Sequence, residues 1–361
     1  MVPLNLLLPS ESWDFSENNL RNTHGVDKSP CEGGGGLMST AYFARWSGPV
    51  TEADDPYNPS SSTSPLNLPV QKHVQDVYFI PDRGGSLDND NIKWALTTYG
   101  GISSYMAWDK AYYDDAHHTY YHHGPDTLYG HLVTIVGWDD GFDKNLFSGS
   151  SGNPPGNGAF IVKNSKGADW GENGYFYVSY YDSWIATYCK VFTAEPTTNY
   201  NRVYQYDPRG LVSHHSVGSG DTAWFANVFT ATGNEQLSAV SFYTAALNSR
   251  YEIYVYKDPS SGPTSPDRYV EPAGALPVSG YHTVKLSTKV PLTAGHKFSV
   301  AVKLTTPGYD YPVPTEEPQQ GYSSAATASA GESYVSSDGT SWNDMTSIYA
   351  NTNVCLKAFT T

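Results

Sequence analysis

The sequence predicts two domains of different fold class, an α+β domain over residues 1–196 and an all-β antiparallel sandwich over residues 197–361. In the first part, helical stretches are interspersed with apolar runs rich in Val, Ile, Phe and Tyr. In the second part, apolar and polar residues alternate in short segments separated by Gly, Pro and Ser, with no convincing helix. The polar linker Pro196-Thr197-Thr198 marks the expected boundary.

Helices are expected at three places in the first domain. Ser16 is the expected N-cap of a short helix, because its hydroxyl can accept from first-turn amides. A second helix is expected from Leu37 to Trp46, with one apolar face and a stop signal at Gly48-Pro49. A third is expected from Asp88 to Tyr99, with Asp88 as its cap.

Strands are expected in the remainder of the first domain, where runs rich in β-branched and aromatic residues occur: His131–Trp138, Ala159–Lys163 and Tyr175–Tyr180. The second domain contains period-2 segments typical of half-buried strands. Val354 and Leu356 are expected to lie in one last strand.

Composition excludes several classes of function. The net charge is -15, with 36 acidic and 21 basic residues, which argues against a nucleic-acid partner. The 3 cysteines lie far apart without a CxxC pair, which excludes zinc-ribbon and thioredoxin-type sites. No apolar run is long enough for a transmembrane segment. Leu4–Leu8 is too short for a signal peptide and is expected to be the tail of a buried helix that begins before residue 1.

The main chemical signal is a histidine that opens one apolar run and an asparagine that closes the next. His131 precedes Leu132–Trp138, and Asn164 follows Ala159–Lys163. Antiparallel pairing of these runs would bring the imidazole and the carboxamide within hydrogen-bond reach. A catalytic base needs such a partner, because a free imidazole rotates and changes tautomer. A lone histidine or a lone asparagine in such a position is more often structural, so the prediction of a catalytic base rests on their combination.

Together with Lys163-Asn164-Ser165 and Trp170-Gly171-Glu172-Asn173-Gly174-Tyr175, this order resembles the C-terminal half of a papain-family cysteine peptidase. The resemblance implies a papain-like domain in which His131 is the general base and Asn164 orients it. It also implies that Trp170 shields the pair. Cleavage of a peptide or protein substrate is the implied activity, without a cofactor or metal.

Further upstream, Cys31-Glu32-Gly33-Gly34 resembles the Cys-x-Gly-Gly segment of the same family. There the glycines allow a substrate backbone to lie close to the chain, so the resemblance implies that Gly33 and Gly34 contact substrate. Gly130, immediately before the histidine, is implied to belong to the same substrate-binding surface. Cys31 matches the non-catalytic cysteine of this segment, and four glycines follow Glu32.

The sequence departs from the family in the catalytic machinery. The nucleophilic Cys and the oxyanion-hole Gln of the family belong before Met1, so the papain-like domain is expected to lack its first helix segment. Lys166 stands where the family usually has a Trp, and Leu132 where a small Ala is typical. A Lys beside the base disfavours an imidazolium. The chain as given is therefore expected to be inactive, as a fragment of an active peptidase or as a degraded scaffold.

The second domain resembles the lectin-like β-domain of some cell-surface papain-like peptidases of archaea and bacteria. This resemblance implies an extracellular or cell-surface location. It also supports an alternative function, a non-catalytic protein that binds a glycan or a cell-surface protein. Aromatic residues that could stack on sugar rings, although core packing is the more common use of such residues, are Trp224, Tyr254, Tyr256 and Trp342.

A histidine-rich segment precedes the base. His117, His118, His122 and His123 lie near acidic residues, and such a set could bind a transition metal. Their Tyr, Gly and Pro neighbours instead favour a solvated loop, and adjacent histidines rarely share one metal. The sequence therefore predicts no metal site.

Overall fold

The computed structural model describes residues 11–125 and 128–361. These residues fall into two compact units: one comprises Phe79–Thr193, and the other combines Ser12–Tyr78 with Ala194–Thr361. The helices of the described residues are α1 (Glu17–Thr23), α2 (Gly36–Ala44) and α3 (Asp90–Tyr99). The strands within residues 1–196 are β1 (Lys72–Phe79), β2 (Ile102–Trp108), β3 (Tyr113–Asp114), β4 (Thr119–Tyr120), β5 (Tyr129–Asp139), β6 (Ala159–Lys163), β7 (Tyr175–Ser179) and β8 (Thr187–Pro196). The later strands are β9 (Arg202–Tyr204), β10 (Ser213–His215), β11 (Thr222–Thr230), β12 (Glu235–Thr244), β13 (Ser249–Lys257), β14 (Arg268–Leu276), β15 (Ser279–Leu292), β16 (Lys297–Thr305), β17 (Val313–Glu316), β18 (Ser333–Ser336), β19 (Asn343–Asp344), β20 (Asn353–Val354) and β21 (Leu356–Thr360).

The first two helices form close to their predicted positions. Ser16 caps α1, and its hydroxyl accepts from the backbone N–H of Asn19 at 2.9 Å, as the sequence predicts. Helix α2 is shorter than predicted and ends at Ala44. Ala41 and Ala44 of the expected apolar face are buried, and the burial extends to every residue from Met38 to Ala44. A helix made of small and apolar residues can be enclosed on all sides.

The predicted start of α3 was wrong. The helix begins at Asp90, and Asn89 occupies the N-cap position. The carboxylate of Asp88 instead accepts from the backbone N–H of Gly84 at 2.8 Å and so closes the turn before the helix. The predicted apolar stripe is buried at Ile92, Ala95 and Leu96.

The unit formed by Phe79–Thr193 contains a sheet in the order β3-β4-β7-β6-β5-β2-β8. Strand β5 lies between β2 and β6 and pairs antiparallel with both. The three strands predicted for this region form as β5, β6 and β7. His131 lies in β5 of this sheet, and Asn164 directly follows β6.

The other unit contains strands in the order β1-β15-β12-β21-β9, a three-stranded sheet β10-β17-β20, and a six-stranded sheet β14-β13-β16-β11-β18-β19. Described neighbours in these sheets pair antiparallel. One apolar core includes Phe225 and Val302 from the six-stranded sheet and Phe242, Val284 and Leu356 from the strands around β12. The predicted combination of an α+β fold and an all-β antiparallel fold is confirmed.

The prediction of a single last strand was wrong. Val354 ends β20 and pairs with Thr315 in β17, whereas Leu356 begins β21 and pairs with Phe242 in β12. The chain changes sheets at the buried Cys355. Alternation of apolar residues alone does not mark such a change, since both sides of the break are buried.

Residues before β1 pack with the late strands inside one unit. The guanidinium of Arg45 donates to the carbonyl oxygen of Pro208 at 2.8 Å, and the backbone N–H of Asp27 donates to Tyr322 O at 2.8 Å. Polar groups thus join segments almost 300 positions apart in the chain. The domain boundary at residue 196 stays a prediction.

Within residues 11–125 and 128–361, no helix has the length and apolar character needed to cross a membrane. The expected helix tail at Leu4–Leu8 lies outside the described residues.

Candidate active site

The register of strands β5 and β6 brings His131 and Asn164 together. Thr134 in β5 pairs with Lys163, the last residue of β6. Continuing this register places Asn164 diagonally across from His131 on the same face of the sheet, where side chains meet. His131 is fixed from the other side, because it pairs with Met106 in β2.

The carboxamide oxygen of Asn164 accepts two hydrogen bonds. It lies 3.0 Å from His131 Nε2 and 2.8 Å from the backbone nitrogen of Ser165. A backbone N–H can only donate, so the atom facing Ser165 is the oxygen Oδ1. An oxygen cannot donate to the imidazole, and therefore His131 Nε2 carries the proton. Neutral His131 then has its lone pair on Nδ1, the atom available to accept a proton.

The position of Asn164 is fixed by the turn that follows β6. Its backbone N–H donates to the carbonyl oxygen of Gly174 at 2.9 Å, and its side chain is buried. Gly171 has φ +62° and lies so close to Tyr175 O that an added Cβ would approach to 2.4 Å. Glycine is therefore required at this point of the turn. The Trp170–Tyr175 segment serves to fix the asparagine backbone.

Electrostatics keep the imidazole neutral. Burial lowers the pKa of His131 from its ordinary value, the hydrogen bond with Asn164 acts in the opposite direction, and the Lys166 ammonium lowers the pKa further. A neutral imidazole is the form that can act as a general base.

The ring beside the imidazole is Trp108, which the sequence did not single out. Its centroid lies 6.0 Å from that of His131. The predicted shield, Trp170, packs against Trp108 at 6.0 Å, and Lys166 Nζ lies over both indoles at 4.7 and 5.3 Å. Trp108 pairs with Tyr129, which lies two positions before the histidine. Knowledge of this strand pairing would have placed the Trp108 ring beside His131.

Gly130 lies against an aromatic side chain. A Cβ at Gly130 would come within 2.8 Å of the Tyr105 ring. Tyr105 in turn contacts Tyr188 at 6.0 Å and Trp184 at 6.4 Å between centroids. The backbone next to the base is thereby held against an aromatic wall, and a side chain at position 130 would displace that wall.

The two remaining predicted glycines belong to the other compact unit. Gly33 has φ +72° and open space where a Cβ would lie. A Cβ at Gly34 would meet the Met38 side chain at 2.0 Å. The role of Gly33, Gly34 and Gly130 in substrate binding stays a prediction.

Two of the cysteines are buried. Burial raises the pKa of Cys189 to about 12 and that of Cys355 well above its ordinary value. Both are therefore thiols at neutral pH, and a thiol is a poor nucleophile. Cys31 is exposed and lies in a turn five positions before the first residue of α2.

The histidine-rich segment makes several separate contacts. His117 Nδ1 lies 2.7 Å from Asp114 Oδ2, and His118 Nδ1 lies 3.2 Å from the Tyr113 hydroxyl. His122 is buried, with its ring 4.6 Å from that of Tyr112. Among the described residues, no group of three or more His, Cys, Asp or Glu side chains is placed to hold a metal ion.

Two family models match the chain. The model of the papain family cysteine protease matches residues 5–195, and the model of the lectin-like domain matches residues 203–360. Among curated proteins, a cathepsin B-like CP2 of Giardia intestinalis is 29% identical over 202 residues. That match covers 45% of this chain and 59% of the relative, so less than two thirds of the relative's length is spanned.

Solved structures resemble both halves of the chain. The clostridial cysteine protease Cwp84 after propeptide cleavage has a TM-score of 0.85 and 26% identity, covering 97% of this chain and 89% of its own. The cysteine protease and lectin-like domains of Cwp84, described as a surface layer associated protein of Clostridium difficile, give a TM-score of 0.83 and 26% identity. That match covers 97% of this chain and 79% of the other. The two-part architecture is therefore shared.

Proposed function

Because the chain belongs to the papain family of cysteine proteases, we propose that it carries the general base of a peptide-hydrolysing site, with His131 as base and Asn164 as its orienter. The observation that supports this most strongly is the pair of hydrogen bonds on Asn164 Oδ1, from His131 Nε2 and Ser165 N. They fix one tautomer, in which Nδ1 is free to take a proton from a thiol.

The nucleophile is proposed to come from residues before Met1 in the natural polypeptide. Cys189 and Cys355 are buried and protonated, and Cys31 does not lie at the start of a helix, where the dipole would favour a thiolate. A preceding segment would supply both the cysteine thiolate and the oxyanion donors. These 361 residues alone are then expected to hydrolyse no peptide.

In hydrolysis, Nδ1 of His131 would take the thiol proton and later deliver it to the leaving amine. Asn164 would hold the imidazole during both transfers, and Trp108 would limit access of water to one side of the ring. Loss of a positioned general base commonly lowers the reaction rate by a factor of about 10²–10⁴.

The test compares two polypeptides, the 361-residue chain and the natural gene product with the residues that precede it. The longer protein should cleave a fluorogenic peptide, thiol alkylation should block cleavage, and His131→Ala should abolish it. The shorter chain should show no turnover. Alkylation-sensitive, His131-dependent turnover by the shorter chain would contradict the proposed origin of the nucleophile. Full activity of His131→Ala in the longer protein would contradict the role of the base.

The lectin-like domain is proposed to hold the protein at the cell surface by binding a glycan or a surface protein. Support comes from the match over residues 203–360 and from the surface-layer association stated for Cwp84. Labelling of intact cells with a membrane-impermeant reagent tests the location. Labelling only after lysis would contradict it.

A further inference from the structure

The outer face of the six-stranded sheet carries a row of aromatic side chains. Along β11 and β13, the half-buried Trp224 and Tyr254 face away from the main core. The buried Tyr256 beside them packs with Ala301. On β16, Tyr254 pairs with the small Ala301, whereas Trp224 pairs with Lys303. The rings of Trp224 and Tyr254, with centroids 5.1 Å apart, form the ring surface of this face.

Trp224 is held rigidly on this face. Its ring lies 5.1 Å from Tyr254 and 6.4 Å from Trp342 between centroids. Gly339, at φ +75°, touches the indole so closely that a Cβ would approach to 2.7 Å. Trp342 is itself fixed, because its indole N–H donates to Gly339 O at 3.2 Å. A ring held by neighbours on several sides loses little entropy when a ligand stacks on it.

A cavity adjoins this ring surface. Its volume is about 340 Å³, at the lower end of the range for small-ligand sites (roughly 300–1,000 Å³), and its walls come from β13, β14 and β16. It is lined by residues 273–275 of β14 and by five residues of β13 and β16: Arg250, Tyr251, Glu252, Lys303 and Thr305. Beside that segment, the pairing of β13 with β14 shifts register between Tyr251 and Ile253, and such a bulge bends the strand locally.

Lys303 connects the cavity to the ring surface. Its ammonium lies 5.7 Å from the centre of the Trp224 ring and donates to Glu252 Oε1 at 2.9 Å. Glu252 Oε2 also accepts from the Tyr254 hydroxyl at 2.6 Å. Charged donors and acceptors thus stand beside aromatic faces within one continuous area.

This combination matches the chemistry of a sugar. The C–H face of a pyranose ring packs on an aromatic ring, and its hydroxyl groups need charged or polar partners at the edge. The cavity holds two cations, Arg250 and Lys303, and one carboxylate, Glu252, so its local charge is opposite in sign to the net charge of -15 of the whole chain. A local excess of cations favours a ligand with a negative substituent.

We propose that this face binds an acidic glycan, with sugar rings stacked on Trp224 and Tyr254 and a carboxylate or phosphate substituent held by Arg250 and Lys303 in the adjoining cavity. The proposal deepens the surface-binding role of the lectin-like domain and rests on it. Single-stranded nucleic acid also uses aromatic rings and cations, but the net charge of -15 disfavours a long polyanion.

The experiment titrates the full chain with oligogalacturonate, which carries carboxylates, and with a neutral gluco-oligosaccharide of equal length, by calorimetry. Oligogalacturonate should bind, and added salt should weaken its binding. Arg250→Ala should lower its affinity about tenfold, as expected for loss of a charge-assisted hydrogen bond. Arg250 is exposed, so this variant should fold normally. Trp224→Ala should also weaken binding, and its melting temperature shows whether it is folded.

The matched control is Lys297→Ala. Lys297 is exposed and lies on β16 six positions from Lys303, about 20 Å along the same face, and its removal should leave the affinity unchanged. Equal affinity for the neutral ligand would overturn the acidic preference. Acidic-ligand binding that neither Arg250→Ala nor Trp224→Ala weakens would overturn this site and leave the binding role of the domain intact. Failure of oligogalacturonate to bind would overturn the acidic-glycan assignment. Binding of oligothymidylate with equal affinity, weakened by the same two variants, would also overturn it.

Discussion

His131 and Asn164, at the start of one strand and the end of the next, are joined by a 3.0 Å hydrogen bond between Nε2 and Oδ1. The bond exists because β5 and β6 pair antiparallel with Thr134 opposite Lys163. A second bond, from Ser165 N, holds the oxygen in place. The two bonds hold the imidazole in one orientation and one tautomer.

Lys166 should hold the pKa of His131 down. Its ammonium acts in the same direction as burial, so Lys166→Gln should raise the pKa of His131. The measurement is a chemical-shift titration of the His131 imidazole. Lys163→Gln, a change at an exposed residue of β6, is the matched control and should have no comparable effect. An unchanged or lower pKa in Lys166→Gln would contradict this account.

Gly339→Ala should destabilise the second unit more than Gly308→Ala. Both glycines have φ near +75°, but only Gly339 has the Trp224 ring within 3 Å of an added Cβ, while Gly308 has open space. The conformational cost is about 1–2 kcal/mol for each variant. Overpacking against Trp224 should add about 1–3 kcal/mol for Gly339→Ala. Urea denaturation measures the unfolding free energy of both variants. Equal losses of unfolding free energy would show that the contact with Trp224 adds no cost.

Loss of the buried ion pair should be costly. Lys357 Nζ lies 2.8 Å from Asp207 Oδ2, and both side chains are 1% exposed. Lys357→Met leaves a buried carboxyl without its cation and should cost about 3–5 kcal/mol in unfolding free energy. Lys285→Met breaks a more exposed pair with Glu195 and should cost less than about 1 kcal/mol. Similar losses for the two variants would mean that burial does not control the energy of these pairs.

His282 should make the protein sensitive to acid. Burial lowers its pKa from 6.5 to about 4, while a hydrogen bond to the carbonyl of Val278 acts in the opposite direction. The unfolded chain therefore binds the proton at a higher pH than the folded protein. The stability this residue contributes is fully present above pH 6.5 and is lost as pH falls to about 4. The loss is at most about 3 kcal/mol.

His282→Gln removes that titration. Between pH 6.5 and 4, the parent protein should therefore lose more unfolding free energy than the His282→Gln variant. Thermal melts at several pH values measure it. His296→Gln, at an exposed position, is the control. A pH-independent difference for His282→Gln would contradict the proton linkage.

Features that depend on local chemistry could be predicted from the sequence. The cap at Ser16 follows from a hydroxyl next to first-turn amides. The strand that contains His131 follows from its content of β-branched residues. The closeness of His131 and Asn164 required only one assumption, antiparallel pairing of consecutive strands. These relationships involve neighbours in the chain or in adjacent strands.

Features that depend on distant pairing could not be predicted. Trp108 lies beside His131 because β2 pairs with β5, and no local pattern gives that register. One local feature was also missed: Asp88 was a plausible cap, but its carboxylate accepts from Gly84 N four positions earlier. The break between Val354 and Leu356 arises because two sheets compete for one apolar run.

The most direct test of the central claim is the tautomer of His131, measured by long-range nitrogen–proton correlation on the labelled chain above its pKa. The account predicts a proton on Nε2 and a free lone pair on Nδ1, and it predicts a mixture of tautomers in Asn164→Ala. A proton found on Nδ1 in the unaltered chain would contradict the assignment of His131 as a base oriented by Asn164.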